Sequence, residues 1–487
     1  MRPATSLPRA AHPGAACPAG INTLRSCSRR DFLRVSAAAW ATLSVVPGHV
    51  LGAAGQPTPN SRPQLAGVGV GGVGFGQLDE CEKAGFRIIA LCDVDDVYAK
   101  KAYDRWPQAR RYRDFRELLQ AEADRLDAVY VGTPDHTHAL ITLAALRRKK
   151  HVCCVKPLTR TAHEGRVLLD AARQSRVATQ MTAAANTGEE ACRTCEWIQG
   201  GAIGAVREVH VWSDRPLWPQ GMTRPPGEDP LPATFDWKLW LGPAPMRPFK
   251  ANWPDGHAAL TALKSSPEWI AQYHGVYHPF NFRGWWDFGT GALGDMGCHH
   301  FNTILRALRL KSPKHVEATA TKVFPESAPL ASIVTYSFDA RDGLPPVQVI
   351  WHDGGLKPAR PAGLGDQPLP DEGTLYRGEQ GVLLSSWSGP KLFPESIRSR
   401  AEGIRKTLTR RSGTWGEWFE ACRGGEPAGC DFEWAVPLTE LVLLGNIALR
   451  TGKRLEWDAS QLRFLNETSA NSFLKEPYHN GWSLDAI

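Results

Sequence analysis

Residues 65–93 read LAGVGVGGVGFGQLDECEKAGFRIIALCD, and this stretch decides the fold. A short apolar run ends in the glycine-rich Gly69–Gly74, a helix-like segment follows from Gln77 to Ala84, and a second apolar run leads to Asp93. This is the strand–turn–helix–strand order of a dinucleotide site. In such a site the first glycine permits a tight turn, the second lets the backbone approach a pyrophosphate, and the third lets helix and strand pack closely.

The motif predicts which residues contact the cofactor. The predicted loop contacts are Gly69, Gly71, Gly72, Val73 and Gly74. The helix that follows offers free N–H groups and a partial positive charge to phosphates. Asp93 lies 24 positions after Gly69, where a carboxylate is expected to meet the adenosine ribose. Because Asp93 would repel a 2′-phosphate and residues 94–96 contain no arginine, the sequence favours NAD over NADP.

The composition describes an ordinary folded protein. The chain has 487 residues, of which 42% are hydrophobic and 22% charged, so two or three domains are expected. The net charge is +7, but residues 1–54 hold six arginines and one acidic residue, a charge of +5. The remainder therefore carries only +2, which argues against binding to nucleic acid or to an anionic membrane.

The first 54 residues have the pattern of an export signal. Ser28–Leu33 (SRRDFL) resembles the bacterial twin-arginine signal, the mildly apolar run 35–46 follows, and small residues lie near 52–55. A disordered basic tail with a chance arginine pair is the alternative. The order of these features predicts export through the twin-arginine machinery to the periplasm. Residues 55–64 are predicted to be a linker, and no transmembrane anchor is expected.

The cysteines do not indicate a metal site. Cys192 and Cys195 have the spacing of half a zinc site, but no second CxxC and no His pair with metal-ligand spacing accompanies them. On a helix, positions i and i+3 simply share a face. We therefore expect no metal.

The chain divides into two regions of different character. Residues 65–185 alternate short apolar runs with helical patterns, which predicts a parallel sheet with helices on both faces, a Rossmann-type α/β domain. Residues 186–487 contain long runs of β-type sequence and a few helices. They are predicted to form an α+β domain with an open, mostly antiparallel sheet.

Further motifs combine with the glycine loop. They are residues 133–139 (TPDHTHA), 155–159 (VKPLT), 285–291 (WWDFGTG) and 294–299 (GDMGCH). With them the sequence resembles the Gfo/Idh/MocA family (glucose–fructose oxidoreductase, inositol dehydrogenase, MocA) from residue 65 to the C-terminus. It looks most like the secreted, tryptophan-rich bacterial members with twin-arginine signals.

The resemblance implies a fold, an activity and site residues. Members pair a Rossmann domain with an α/β domain whose open sheet often forms the interface of a homo-oligomer. They move hydride between a nicotinamide and a sugar or polyol. The resemblance implies that Lys156 lies beside the reacting alcohol and that the Lys156–Pro157 bond is cis. It also implies that Asp295 and His299 are the family's Asp-x-x-x-His motif, with His299 as the acid/base, while Asp295 holds the substrate or orients His299. Val155 replaces the family's Glu before Lys-Pro, which puts the way the nicotinamide end is held in doubt.

The residues themselves support these roles. Lys156 follows a predicted strand, and ligands of parallel sheets bind at the carboxyl ends of strands. On a helix, Asp295 and His299 share a face, and a carboxylate can orient a histidine and bring its pKa near neutrality. The fourth predicted strand, residues 128–132, is followed by the start of a helix. Three residues there are expected at the edge of the cofactor site: Thr133, Pro134 and His138. Three residues are candidate substrate contacts: Tyr277, Arg283 and Trp286.

Three functions remain open at this point. The first is an exported NAD-dependent oxidoreductase that acts on a sugar, glycoside or polyol and holds its cofactor tightly. The second is a redox-neutral glycosidase, lyase or epimerase of the same family, in which NAD oxidises the sugar transiently. The third is a non-catalytic dinucleotide-dependent binding protein, since a fold does not fix a function.

Overall fold

The computed structural model describes residues 62–361, 364 and 368–487. The predicted export signal, residues 1–54, lies outside these residues, and so does most of the predicted linker, residues 55–61.

Residues 64–182, the first half of the fold, build a parallel sheet, as predicted, and it has six strands. Its strands are β1 (Gln64–Val68), β2 (Arg87–Cys92), β3 (Arg110–Tyr112), β4 (Ala128–Val131), β5 (His151–Val155) and β6 (Thr179–Thr182). Their order in the sheet is β3-β2-β1-β4-β5-β6. The strands next to the sheet's centre are nearly continuous apolar runs because both faces are covered by helices. The edge strand β3 reads RRY and has no apolar run, so the sequence did not predict it.

Helices connect these strands. They are α1 (Val73–Ala84), α2 (Lys100–Arg105), α3 (Phe115–Ala121), α4 (Asp135–Arg147) and α5 (Ala162–Ser175). The start of α5 is fixed by a capping box, in which the Thr161 hydroxyl accepts from the Glu164 N–H and the Glu164 carboxylate accepts from the Thr161 N–H. Helix α1 begins at Val73, four residues before the predicted start, so the glycine loop leads directly into the helix.

Residues 206–464, the second half of the fold, build a sheet that is mostly antiparallel, as predicted. It has nine strands. Its strands are β7 (Val206–Trp212), β8 (His315–Ala320), β9 (Ser332–Phe338), β10 (Val347–His352), β11 (Gly373–Gly378), β12 (Gly381–Ser386), β13 (Gly389–Phe393), β14 (Leu455–Asp458) and β15 (Arg463–Phe464). The order is β13-β12-β11-β7-β10-β9-β8-β14-β15, and the β7–β10 pair is the parallel one.

The remaining helices lie between and beside the sheets. They are α6 (Glu189–Gln199), α7 (Trp237–Leu241), α8 (Ala258–Ser265), α9 (Glu268–Ala271), α10 (Gly291–Leu308), α11 (Arg398–Glu402), α12 (Gly413–Cys422) and α13 (Phe432–Thr451). Helix α10 packs against α6 and α13, and α12 returns to pack against α1 of the first half. One hydrophobic core therefore joins the two sheets.

Helix α13 is the most apolar helix of the described residues. Within them it alone is long and apolar enough to cross a bilayer by length and composition, yet 83% of that window is buried inside the protein. It packs against α5 on one side and against α10 and β8 on the other. Its apolar character is thus used to join the two halves.

Four of the 18 tryptophans belong to a separate core. An aromatic cluster between residues 235 and 288 packs tryptophan, tyrosine and phenylalanine rings against each other, with Trp237 and Trp240 stacked at 4.8 Å. Ring packing therefore joins the short helices and the irregular stretches of this segment.

Candidate active site

One large cavity extends from the glycine loop to helix α10. Its volume is about 980 Å³, and it is lined by Gly69 and Asp93 at one end and by Lys156, Asp295 and His299 at the other. The wall comes from the strand ends of the first sheet, from helix α10 and from the aromatic segment. The motifs that lie far apart in the sequence therefore meet around a single space.

The backbone at the glycine loop requires glycine. Gly69 has φ +77°, and a Cβ there would lie 2.6 Å from the Gly132 carbonyl carbon. A Cβ on Gly74 would collide with the Gly69 carbonyl oxygen, where α1 passes close to the end of β1. Both positions thus have the geometry that a dinucleotide-binding turn needs.

The N-terminus of α1 has no cap from a side chain. Gly72 is its N-cap residue and makes no side-chain hydrogen bond, and the first turn contains no acidic residue. Gly72 and Val73 line the cavity. The partial positive charge of the helix therefore faces the cavity, where it fits a pyrophosphate.

At Gly71 and Gly72 the neighbouring side chain of Tyr98 leaves no room for a Cβ. A Cβ on either residue would collide with the ring or the hydroxyl of Tyr98, which lies against the loop. The sequence predicted that Gly71 lets the backbone approach a pyrophosphate, and in the structure the Tyr98 ring lies on the side to which a Cβ of Gly71 would point. Tyr98 lies in the loop after β2 and was not predicted to take part in the site.

Asp93 lines the cavity, but its carboxylate is already bonded to the loop. One oxygen, Oδ2, accepts from the N–H groups of Val70 at 2.8 Å and Gly71 at 3.2 Å, and Oδ1 accepts from Asp95 at 3.1 Å. Burial raises the pKa of Asp93. Asp93 therefore shapes the glycine loop as well as facing the place where a ribose is expected.

The fold brings two basic residues to the same end of the cavity. Lys101 and Arg113 line it, and Arg113 forms an ion pair with Asp96. The residues directly after Asp93 contain no arginine, but Arg113, which follows β3, reaches the same end of the cavity through the fold. A cation that could face a 2′-phosphate therefore lies there.

Thr133 and Pro134 line the cavity as predicted, whereas His138 does not. His138 is fully buried, with Nδ1 2.8 Å from the Pro157 carbonyl oxygen and Nε2 2.7 Å from the Thr133 carbonyl oxygen. Burial lowers the pKa of His138, but Cys154, Asp135 and the Thr133 carbonyl more than offset this and raise it to about 9. Both nitrogens thus donate, and His138 ties together the loops after β4 and β5 instead of contacting a cofactor.

Lys156 and Asp295 meet at the far end of the cavity. Lys156 directly follows β5. The peptide bond between Lys156 and Pro157 is cis, as the family resemblance implied. Lys156 Nζ donates to Asp295 Oδ1 at 2.6 Å and to the Asp295 carbonyl oxygen at 2.5 Å. Arg283 Nε donates to the same Oδ1 at 3.1 Å. Burial raises the pKa of Asp295, but Lys156 and Arg283 outweigh it and hold that pKa below its usual range.

His299 lines the cavity, but no hydrogen bond joins it to Asp295. Asp295 contacts Lys156 and Arg283, and the Nδ1 atom of His299 is buried with no hydrogen-bond partner. Burial, with the nearby Lys156, lowers the pKa of His299 to about 3 rather than bringing it near neutrality. The carboxylate that was expected to orient the histidine therefore orients the lysine, because Oδ1 lies between two cations.

Of the three predicted substrate contacts, only Arg283 lines the cavity. Tyr277 is 2% exposed within the aromatic cluster. Trp286 is 6% exposed and lies on the far side of the wall beside Arg160 and Arg450. These two assignments are wrong, because adjacent residues of an irregular segment face different ways and no periodicity indicates which way.

Several lining residues were missed. They include Arg215, Trp218, Trp269, Tyr273 and Phe280. The tryptophan-rich composition of residues 212–286 was the available signal, but it did not distinguish rings of the core from rings of the cavity. Arg215 follows β7 and forms ion pairs with Asp214 and Glu372.

Cys192 and Cys195 lie on α6, buried and unpaired. Within the described residues, no three His, Cys, Asp or Glu side chains come together in a way that could hold a metal ion.

Comparison with known proteins agrees with this arrangement. The model of the Gfo/Idh/MocA oxidoreductase family, NAD-binding Rossmann fold, matches residues 65–183, and the model of its C-terminal α/β domain matches residues 263–351. Inositol 2-dehydrogenase of Rubrobacter xylanophilus is 30% identical over 156 residues, which cover 31% of this chain and 44% of the relative. Alpha-N-acetylgalactosaminidase of Shewanella oneidensis is 25% identical over 209 residues, 38% of this chain and 45% of the relative.

The chain thus matches less than half the length of these relatives. Among solved structures, the WlbA dehydrogenase of Chromobacterium violaceum, in complex with NADH and UDP-GlcNAcA, superimposes with a TM-score of 0.55 at 17% identity. That match covers 83% of this chain and 98% of WlbA, and it shows a shared fold. With its two family domains and a glycine loop shaped for a dinucleotide, this chain belongs to the Gfo/Idh/MocA oxidoreductase family.

Proposed function

We propose that this protein is an exported oxidoreductase that moves hydride between a tightly bound NAD(H) and a hydroxyl group of a sugar, glycoside or polyol. The observation that carries the proposal is the continuity of the site. A single cavity joins the uncapped N-terminus of α1, suited to a pyrophosphate, to the Lys156–Asp295 pair, suited to an alcohol. The dinucleotide supplies the hydride acceptor, and we favour NAD because Asp93 lies at the ribose end.

The side chains at the Lys156 end of the cavity have different roles. Lys156 Nζ is held by two oxygens of Asp295, so it can donate to the oxygen of a bound hydroxyl and stabilise the negative charge that develops there. His299 is neutral at neutral pH, and we propose that it accepts the hydroxyl proton. Arg283 donates to the same Asp295 oxygen and thus helps Lys156 to hold the carboxylate.

The test is a screen of sugars and polyols against the purified protein, observed at the NADH absorbance band. We expect at least one compound to reduce the bound dinucleotide, and the Lys156→Met variant to lose that response. A protein that binds the dinucleotide but shows no absorbance change or product with any sugar would instead be a non-catalytic binding protein.

A redox-neutral reaction is the second candidate. The similarity to alpha-N-acetylgalactosaminidase favours it, together with the apolar Val155 at a position where the family has a carboxylate. In this case a glycoside would be cleaved with no net change in NADH absorbance and with no second substrate. Release of a chromophore from a nitrophenyl glycoside, measured with bound NAD only, separates this reaction from net oxidation.

We also infer export and self-association. The twin-arginine pattern at Ser28–Leu33 supports transfer to the periplasm, and replacing Arg29 and Arg30 with lysine should retain the protein in the cytoplasm. The strands β7, β10 and β9 carry half-exposed residues such as Ile333 and Ile350 on one face of the second sheet. We propose that a homo-oligomer forms through this face, and light scattering in solution measures its mass.

A further inference from the structure

The loop between β2 and α2 is fastened to the aromatic segment on the other side of the cavity. The Asp96 N–H donates to the Thr234 carbonyl at 3.0 Å, and the Asp236 N–H donates to the Val94 carbonyl at 2.8 Å. Asp95 and Phe235 form a β-bridge between these bonds. The loop, residues 94–98, is thus held by backbone hydrogen bonds that do not depend on its own sequence.

Side chains fasten the same loop a second time. His278 Nε2 lies 3.0 Å from Asp95 Oδ2, and the Trp240 indole N–H points at His278 Nδ1 at 3.1 Å. Because the indole nitrogen can only donate, Nδ1 accepts and the proton is on Nε2, which donates to Asp95. The other oxygen of Asp95 accepts from the N–H groups of Val97 and Tyr98. His278 therefore fixes Asp95, and Asp95 fixes the backbone of Tyr98.

This arrangement determines where the Tyr98 ring lies. The ring meets His278 edge-on with centroids 5.1 Å apart, and it covers Gly71 and Gly72 from the cavity side. Its hydroxyl lies beside Gly72, the N-cap residue of α1, where a pyrophosphate is expected. The phenol is protonated at neutral pH, and its pKa is raised further by burial and by the facing hydroxyl of Tyr273.

We propose that Tyr98 is a latch on the dinucleotide, with its hydroxyl donating to the pyrophosphate and its ring closing the cavity over the glycine loop. His278 and Asp95 are the positioning residues that hold the latch shut. This inference rests on the proposed function, since it concerns the same cofactor, and it adds the reason for retention. For the dinucleotide to leave, the loop 94–98 must separate from residues 234–236 and from His278, and these contacts break together.

The test is the rate at which bound NADH exchanges with excess NAD, measured by loss of NADH fluorescence. Tyr98→Phe removes only the hydroxyl, and it should speed exchange about tenfold or more, the effect of losing one hydrogen bond to a charged group. His278→Ala frees Asp95 and should speed exchange at least as much. Lys100→Ala is the matched control, because this exposed residue lies just beyond the loop and contacts Asp104. It should exchange at the wild-type rate.

Melting temperatures measured without dinucleotide show whether a variant is less stable than wild type. A variant that melts like wild type but exchanges NADH faster has lost contacts to the dinucleotide and not its fold. If His278→Ala fails to fold, Tyr98→Phe alone decides the question, because it keeps the ring. Exchange at the wild-type rate in Tyr98→Phe and in every folded variant would overturn the latch while leaving the proposed function intact. A wild-type protein that binds no dinucleotide would overturn the proposed function itself.

Discussion

Replacing Lys156 with methionine tests the chemistry at the far end of the cavity. Methionine keeps an unbranched stem of similar length but removes the ammonium that donates to Oδ1 and to the carbonyl oxygen of Asp295. A positioned proton-transfer or charge-stabilising group contributes about 10²–10⁴-fold to a rate, so we expect a loss of that size. Asp295 keeps its bond to Arg283 at 3.1 Å, so the cost in stability should be roughly 1–3 kcal/mol, the cost of one lost partner for a buried polar group.

The assay is single-turnover reduction of the bound dinucleotide, with its content measured after denaturation. Lys156→Met should retain the dinucleotide, because the glycine loop is untouched. Asp295→Asn should lose rate by a similar factor, and the double variant should be no slower than the slower single variant, since the two residues act as a unit. A turnover within tenfold of wild type for Lys156→Met, or losses that multiply in the double variant, would refute this account of the site.

Three further predictions concern pH and the glycine loop. The rate of alcohol oxidation should fall on acidification only below about pH 4, because the pKa of His299 is lowered to about 3; an apparent pKa near 6.5 that disappears in His299→Gln would contradict this. Burial also lowers the pKa of His136 to about 3, so its neutral form stabilises the fold above about pH 6.5 and that stability is lost as the pH falls. Between pH 7 and pH 5, the free energy of unfolding measured in urea should therefore drop by roughly 2 kcal/mol more for wild type than for His136→Gln. Equal drops in the two proteins would contradict the lowered pKa of His136. Gly74→Val should abolish dinucleotide binding because its Cβ meets the Gly69 carbonyl oxygen, whereas Gly76→Ala, with open space around it, should bind normally in the same titration.

The sequence was sufficient for the fold because its signals are local and periodic. The glycine loop, the apolar strands and the intervening helices each extend over a few consecutive residues, so the parallel sheet and the mostly antiparallel second sheet could both be predicted. The short strand β3 was missed because RRY has no apolar run. The return of α12 to the first sheet was also missed, since no local pattern records which distant surface a helix covers.

The candidate site was predictable only where a motif names its residues. Lys156, Asp295 and His299 line the cavity as the motifs implied, but the partner of Asp295 depends on distances that no spacing encodes. Trp286 and Tyr98 show the limit most clearly. One lies in a motif and faces away from the cavity, whereas the other belongs to no motif and lies against the glycine loop.

The most direct test of the central claim is the number of turnovers that the protein completes with its own dinucleotide alone. The protein is purified from its native compartment, and the bound dinucleotide is identified by mass spectrometry after denaturation. The protein is then supplied with sugar substrate, with or without a second carbonyl compound as acceptor, and with no free NAD. We expect about one NAD(H) per chain and many turnovers for each bound molecule. An exported protein that arrives empty, and that turns over only with stoichiometric added NAD, would contradict it.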